Sequence, residues 1–432
     1  MAINTTTKIN DKMIIVKEYI GYLLVIKDWS YSMNIIRKIG SRIYQRVFWI
    51  VMPILPYTNP IIIDDLRKVS DVIKENKKVK PLIVTDDNLL KCDFTKVLLN
   101  DLEDKGIETV IFDKVMPNPT TDLIYDGEKV YRDNGCDCLI AIGGGSANDC
   151  AKAIGGRIAY PNKNINDMAG ILKLWKKIPL LIAIPTTAGT GSETTLSAVI
   201  VDSETRHKYV ISSFPLIPSY ACLDGECIHN LPRHIGASTG IDALTHAVEA
   251  YIGKSTIKST RADAQLAVKM IFENIEDSVA HKSKEAELNM LKASYYAGRA
   301  FTVSYIGYVH ALSHSLSGQY DLPHGLTNAI LLPHILRRYG KAVYKPLSKL
   351  ARVANIGNEN DSDEELANKF IDKVFELNRK FDIPDKVPGV KKEDIELLAR
   401  NADKEANPQY PCPVLWDQKE LEGIYYDYCE IE

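Results

Sequence analysis

The sequence predicts an α/β nucleotide-binding domain, built on a parallel sheet with helices, followed by an all-α metal-binding domain. Three observations carry this prediction. Short apolar runs ending in glycine, aspartate or threonine alternate with helix-length stretches from Pro60 to about residue 200. Beyond about Leu231 the helical period takes over and no comparable strand run follows. The helical half also gathers histidines into an apolar setting, in "GYVHALSHSLSGQYDLPHGLTNAILLPH". At 432 residues the chain exceeds one typical core, so we divide it into an extension (1–60), a dinucleotide-binding domain (61–228) and a helical metal and catalytic domain (229–432).

The extension comes first. Lys8, Lys12 and Lys17 interrupt any secretory core region. The apolar run "VFWIVMPILP" (47–56) is far shorter than the ~20 residues a spanning helix requires, and Pro53 breaks it. Arg37, Lys38, Arg42 and Arg46 precede it, which would suit contact with a membrane surface; packing on the body or on a partner subunit is the expected role. Four strands are then expected within "KPLIVTDD" (80–87), "ETVIFD" (108–113), "CDCLIAIGGGS" (136–146) and "IPLLIAIPTTAGTGSE" (178–193), with helices over 93–105 and 121–134 between them. Helices over 235–252, 259–274, 286–300, 309–317 and 363–381 make up the second half. Apolar residues are 45% and charged residues 25% with net charge −3, so no basic field attracts nucleic acid. The eight cysteines form no CxxC pair and read as reduced, buried thiols of a cytoplasmic protein.

Two strand ends carry the cofactor argument, because ligands bind at the carboxyl ends of strands in such sheets. "IGGGSANDCAKAIG" (142–155) follows a strand and opens a helix. Its glycines, among them Gly144 and Gly145 ahead of Ser146, allow close backbone approach, and free N–H groups at a helix start favour phosphate. Asn148 stands where a dinucleotide fingerprint would place its third glycine. The neighbouring end, "PTTAGTGSETT" (185–195), adds the hydroxyls of Thr186, Thr187, Thr190, Ser192, Thr194 and Thr195. Asp86 closes the first strand, where a carboxylate binds an adenosine ribose and repels a 2′-phosphate; a plain helix cap in "TDDN" explains it nearly as well.

Asp242 and His246 in "TGIDALTHAVEAY" lie four residues apart, on one face of a helix. His310 and His314 repeat that spacing, and His324 follows Pro323 in a loop. One carboxylate with several imidazoles suits Fe²⁺ or Zn²⁺ and not Ca²⁺ or Mg²⁺. His207, His229, His234, His281 and His334 read as structural.

Together, "GGGSANDCAK", "IPTTAGTGSE", "TGIDALTHAVEAY" and "HALSHSLSGQYDLPHGLTNAILLP" resemble the iron-containing (group III) alcohol dehydrogenases over roughly residues 64–428. "VMPNPT" and "ADKEANPQYPCP" resemble family stretches too. The resemblance implies metal ligands Asp242, His246, His310 and His324, and assigns His314 to the proton relay near the nicotinamide. It adds Asn118, Asp149 and Lys208 to the cofactor residues, with Lys208 at the nicotinamide ribose. Implied, too, are NAD, with NADP as the alternative, Fe²⁺, with Zn²⁺ as the alternative, and a homo-oligomer. The implied activity is an NAD(P)-dependent alcohol dehydrogenase or aldehyde reductase acting on small primary alcohols or diols, by hydride transfer from a metal-bound alkoxide. Ala147, Gly225 and serines 313, 315 and 317 depart from the family pattern, which bears on pocket shape and not on the ligands. Two other functions compete. A dehydroquinate-synthase-like metal and NAD lyase would use a Glu and two His, unlike this set. A non-catalytic nucleotide- or metal-binding protein would use the extension for docking.

Overall fold

The computed structural model describes residues 35–52 and 55–432. The secretory-signal argument at Lys8, Lys12 and Lys17 and the break at Pro53 fall outside them. The described chain opens with helix α1 (Ile35–Val51), strand β1 (Ile61–Ile63), α2 (Val69–Glu75), β2 (Pro81–Val84) and the one-turn α3 (Asp87–Leu90). Next come α4 (Asp93–Asp104), β3 (Val110–Phe112), α5 (Thr121–Asp133), β4 (Cys138–Ile142) and α6 (Gly145–Ala159). Strands β5 (Gly170–Ile171), β6 (Leu180–Ile184), β7 (Ser197–Val201), β8 (Lys208–Ser212) and β9 (Tyr220–Cys222) complete the first half.

Six strands form one parallel sheet in the order β1-β9-β6-β4-β2-β3. Its central strands are continuous apolar runs because both faces are covered. Side chains alternate between two cores. Leu82, Val84, Leu139, Ala141 and Leu181 meet Leu123 and Ile124 of α5 and Ala151 and Ile154 of α6. Ile83, Ile140, Ile142, Ile182 and Ile184 meet Val69 and Ile73 of α2 and Leu98 and Leu102 of α4. The strand order reverses at β2, which has β3 on one side and β4 on the other, so a crevice opens beyond their carboxyl ends. The four expected strands are present. The outer strands β1 and β9 and the small sheet β5-β8-β7 are additions, too short or too polar to stand out in sequence.

The second half contains α7 (Arg233–Ile252), α8 (Lys258–Glu276), α9 (Lys284–Ser304), α10 (Tyr308–Tyr320), α11 (His324–Tyr339), α12 (Tyr344–Val353) and α13 (Asp363–Lys380). After β10 (Val387–Val390) come α14 (Ile395–Ala406), α15 (Gln418–Tyr428) and β11 (Cys429–Ile431). One apolar cluster underlies all of these helices. Two expectations are corrected here. The half is not wholly helical, since β10 and β11 pair in parallel, joined by chain that includes α14 and α15. His324 lies not in a loop but at the first position of α11, where Pro323 ends the extended approach and starts the helix.

Helix α1 covers the helical half with its inner face. Ser41 and Gln45 are buried there, Phe48 packs edge-on against Tyr305, and the Trp49 indole donates to the Thr256 carbonyl at 3.3 Å. Ile35, Ile36, Ile39, Ile43 and Ile50 line the opposite, exposed face. Downstream, Leu55 and Tyr57 pack on Phe214 and its neighbours beside the small sheet, so the described residues before β1 touch both halves. No helix among the described residues is long and apolar enough to cross a membrane. All eight cysteines are free thiols, and all but Cys92 are buried.

Candidate metal and dinucleotide site

Helix α7 is buried from Gly240 through Ile252 on every side, including its polar residues. A buried polar side chain without a partner is costly, so Asp242, His246 and Glu249 require partners inside the protein. Asp242 and His246 project toward His310 of α10 and His324 of α11. One donor atom from each of the four lies within 4.8 Å of every other. Asp242 Oδ1 is 3.9 Å from His246 Nδ1, 3.8 Å from His310 Nε2 and 3.8 Å from His324 Nε2. Repulsion and burial leave no protons to hold such a set together. His310 is pushed well below the ordinary histidine value by burial and by the neighbouring imidazoles, and His324 falls to about 3 for the same reasons, against the pull of Asp242.

His246 Nδ1 and His310 Nε2 are buried with no hydrogen-bond partner. Two lone pairs aimed into a shared space beside a buried carboxylate are what a borderline divalent cation requires. These residues fit the ion. Their supports fit it too. Glu249 accepts a 2.6 Å hydrogen bond from His310 Nδ1, which leaves Nε2 facing the cluster. The same carboxylate accepts the backbone N–H groups of Gly307 and Val309 at 2.7 and 2.8 Å. A Cβ at position 307 would meet Glu249 Oε1 at 2.7 Å, so only glycine lets the chain pass so close. Just before it, Tyr305 sits at φ 64°, ψ 178°, a conformation non-glycine residues avoid and that the tight approach imposes. His324 is held by Ser313 Oγ at Nδ1, and by the Asn328 amide, which also donates to Asp242 Oδ1 at 2.7 Å.

His314 is not in that set. Its ring stacks on His324 with centroids 4.9 Å apart, but Nδ1 bonds Glu405 at 2.5 Å. Burial disfavours the charged ring, yet Glu405 outweighs it and raises the His314 value.

Most of the expected cofactor residues lie beyond the ends of β2, β4 and β6. Gly143 holds φ +148°, and a Cβ there would strike Ala147 at 2.7 Å, so the strand-to-helix turn requires glycine. Gly144 caps α6 without a side-chain bond, so the first-turn N–H groups, including that of Ser146, stay available to an anion. Gly144 lies against Thr187 and Gly145 against Thr190, so the two loops form one ledge, and Thr186 donates its N–H to Gly143. Thr187 Oγ1 is buried without a partner.

The other expected cofactor residues make these contacts within the chain. Asp86 caps α3, accepting the N–H groups of Asn88 and Leu89. Asp149 Oδ2 accepts the Val199 N–H and Oδ1 the Ser192 hydroxyl, which ties α6 to the strand beyond, and burial raises it to about 6. Thr195 is turned inward to Lys152, whose fully buried ammonium also donates to the Ser192 and Ser197 carbonyls. Lys208 donates to Asn118 Oδ1 at 2.8 Å, with Asn118 at φ 57°. Lys208 also lies near enough to lower the values of His314 and His324, which places it at the junction of the two halves. At that junction the 186–195 loop lies on α7: a Cβ at Gly189 would meet Thr239 Cβ at 2.6 Å and its carbonyl oxygen at 2.7 Å.

Sequence reasoning missed Glu249, Asn328, Lys152, Glu405 and Tyr410. Two carried a signal, since Glu249 lies two turns after Asp242 and Asn328 one turn after His324, on the same faces. The expected structural histidines include His229 on Glu287, His281 on Asp277, and His334 on the Asp385 carbonyl.

Both halves of the chain match known proteins. The family model described as iron-containing alcohol dehydrogenase matches residues 61–225, and that of the Fe-containing alcohol dehydrogenase family, C-terminal, matches 236–428. The 1,3-propanediol dehydrogenase of Klebsiella pneumoniae is 38% identical over 354 residues, 80% of this chain and 90% of that protein. Lactaldehyde reductase of Escherichia coli K12 is 38% identical over 77% of this chain and 88% of its own. Sulfoacetaldehyde reductase from Bifidobacterium kashiwanohense, solved in complex with NAD+, superposes with a TM-score of 0.77 at 26% identity, covering 87% and 98% of the two chains.

Proposed function

The chain belongs to the iron-containing alcohol dehydrogenase family, and from that premise we propose that it interconverts small primary alcohols or diols and their aldehydes with NAD(H). The observation that carries the reading is the buried Asp242, His246, His310 and His324 set, with its two unpartnered imidazole nitrogens, beside the glycine and threonine ledge. These four residues would hold a divalent ion, Fe²⁺ by family and Zn²⁺ as the alternative the donor set accepts. When bound, the ion supplies Lewis-acid polarisation of the substrate oxygen, and the nicotinamide supplies the hydride acceptor.

The protein's own residues do the rest. Gly144, Gly145 and Ser146 present N–H groups to the pyrophosphate, and Thr186, Thr187 and Thr190 line the ledge. Asp149, Thr195 and Lys152 brace that ledge from beneath. Lys208 and Asn118 orient the nicotinamide ribose. Asp86, at the end of β2, disfavours a 2′-phosphate and so favours NAD over NADP. His314, with Nδ1 committed to Glu405, carries the substrate proton at Nε2. A homo-oligomer in a reducing compartment suits the family and the free thiols.

The test is a screen of C2–C4 alcohols and diols with NAD⁺ and NADP⁺ in metal-defined buffer, read as nicotinamide absorbance. His324→Ala is expected to lose the bound ion and to lower turnover by about 100-fold or more. Undiminished activity in that variant would remove the metal role.

A further inference from the structure

His314 touches the ion's ligands through its ring face, yet the atom that orients it belongs to the far end of the chain. Glu405 Oε1 accepts both His314 Nδ1, at 2.5 Å, and the Tyr410 hydroxyl, at 2.6 Å. Neutral imidazole has one N–H. A carboxylate fixed on Nδ1 keeps that proton there and leaves the Nε2 lone pair for a substrate proton. The carboxylate is in turn held by Tyr410, a buried residue.

The stretch bearing both residues is gripped from outside. Arg37 donates to Asp403 at 2.9 Å, and Gln45 Nε2 to the carbonyls of Pro408 and Tyr410 at 3.1 and 2.8 Å. Arg42 bonds the carbonyls of Cys412 and Pro413 at 2.8 and 3.1 Å. Phe48 packs on Tyr305, whose ring lies 6.3 Å from that of Tyr410. All four gripping residues belong to α1, which precedes the residues the family models match. We propose that Glu405 is a positioning residue for His314, and that α1 serves turnover by holding the 403–413 segment that carries Glu405. This rests on His314 being the proton carrier.

The experiment compares Glu405→Ala, Glu405→Gln and the pair Arg42→Ala with Gln45→Ala, each alone and combined with His314→Ala. Turnover, coenzyme KM and bound metal are measured in the full-length holoenzyme. Glu405→Ala is expected to lower kcat about 10-fold, a part of the roughly 100-fold loss for His314→Ala, with metal content and coenzyme KM unchanged. Glu405→Gln keeps most of the activity, because its carbonyl accepts the same N–H. The α1 pair gives a smaller fall in kcat. None of these changes lowers kcat further in the His314→Ala background.

Losses that multiply in that background, or that accompany metal loss, overturn the proposal and leave Glu405 a structural residue. Wild-type turnover in Glu405→Ala while His314→Ala is impaired refutes the positioning role alone. Wild-type turnover in His314→Ala refutes the proton-carrier reading and this proposal with it. Should Glu405→Ala fail to fold, Tyr410→Phe, which removes one donor from the same oxygen, must show the same non-additive loss.

Discussion

At the scale of single residues, burial decides charge. Lys152 is pushed down to about 8 by burial, against the opposing pull of Asp149 and Glu193. Burial raises Glu193, 1% exposed, from 4.5 to about 7. The contribution of Glu193 to folding is therefore at its fullest below about pH 4.5, where the unfolded chain also carries it protonated. That contribution falls away as pH rises through 7. Glu193→Gln should accordingly raise the Tm at pH 8 more than at pH 5, with about 3 kcal/mol as the ceiling on the difference. Equal shifts at both pH values would show that Lys152 already compensates the carboxylate. Half of the four-residue cluster was legible at this scale because i, i+4 spacing is local: Asp242 and His246 share one turn of α7. Glu405 was not, since 91 residues separate it from His314 and only packing joins them.

At the scale of elements, the turn from β4 into α6 is the most constrained joint. Gly143 is held by both φ and contact, and it sits ahead of the N–H groups proposed to meet the cofactor. Gly143→Ala should weaken NADH binding about 10-fold or more while metal content stays at the wild-type level. Fluorescence titration and metal analysis check the two halves of that statement. Central strands announced themselves by apolar runs bounded by turn residues, whereas β10 and β11 did not. Val387–Val390 contains both Pro388 and Gly389, which argue against a strand wherever pairing is not already assured by neighbours. Helix α11 was obscured in the same way by Pro323 and Pro333, although Pro323 in fact starts it. The partner of α1 was equally hidden, because its inner face pairs with loop carbonyls and leaves no sequence pattern.

At the scale of the whole molecule, the four residues that would hold the ion link three helices, α7, α10 and α11, within one apolar cluster. An ion bound there adds its binding free energy to folding. Stripping it with a chelator should lower the Tm by about 5–10 °C, with recovery on adding Zn²⁺ or Fe²⁺. A melting curve that chelation leaves in place would mean the helices need no cross-link. The two-part layout was readable from the shift in texture near Leu231. The contact between the parts was not, because it joins residues well separated in sequence, as Gly189 is from Thr239.

Gly189 gives that contact a last consequence. Bare main chain there rests on the helix that bears the carboxylate, leaving no room for even a methyl group. The junction of the two halves is thus set at this point by main chain against helix, with no side chain there that could yield.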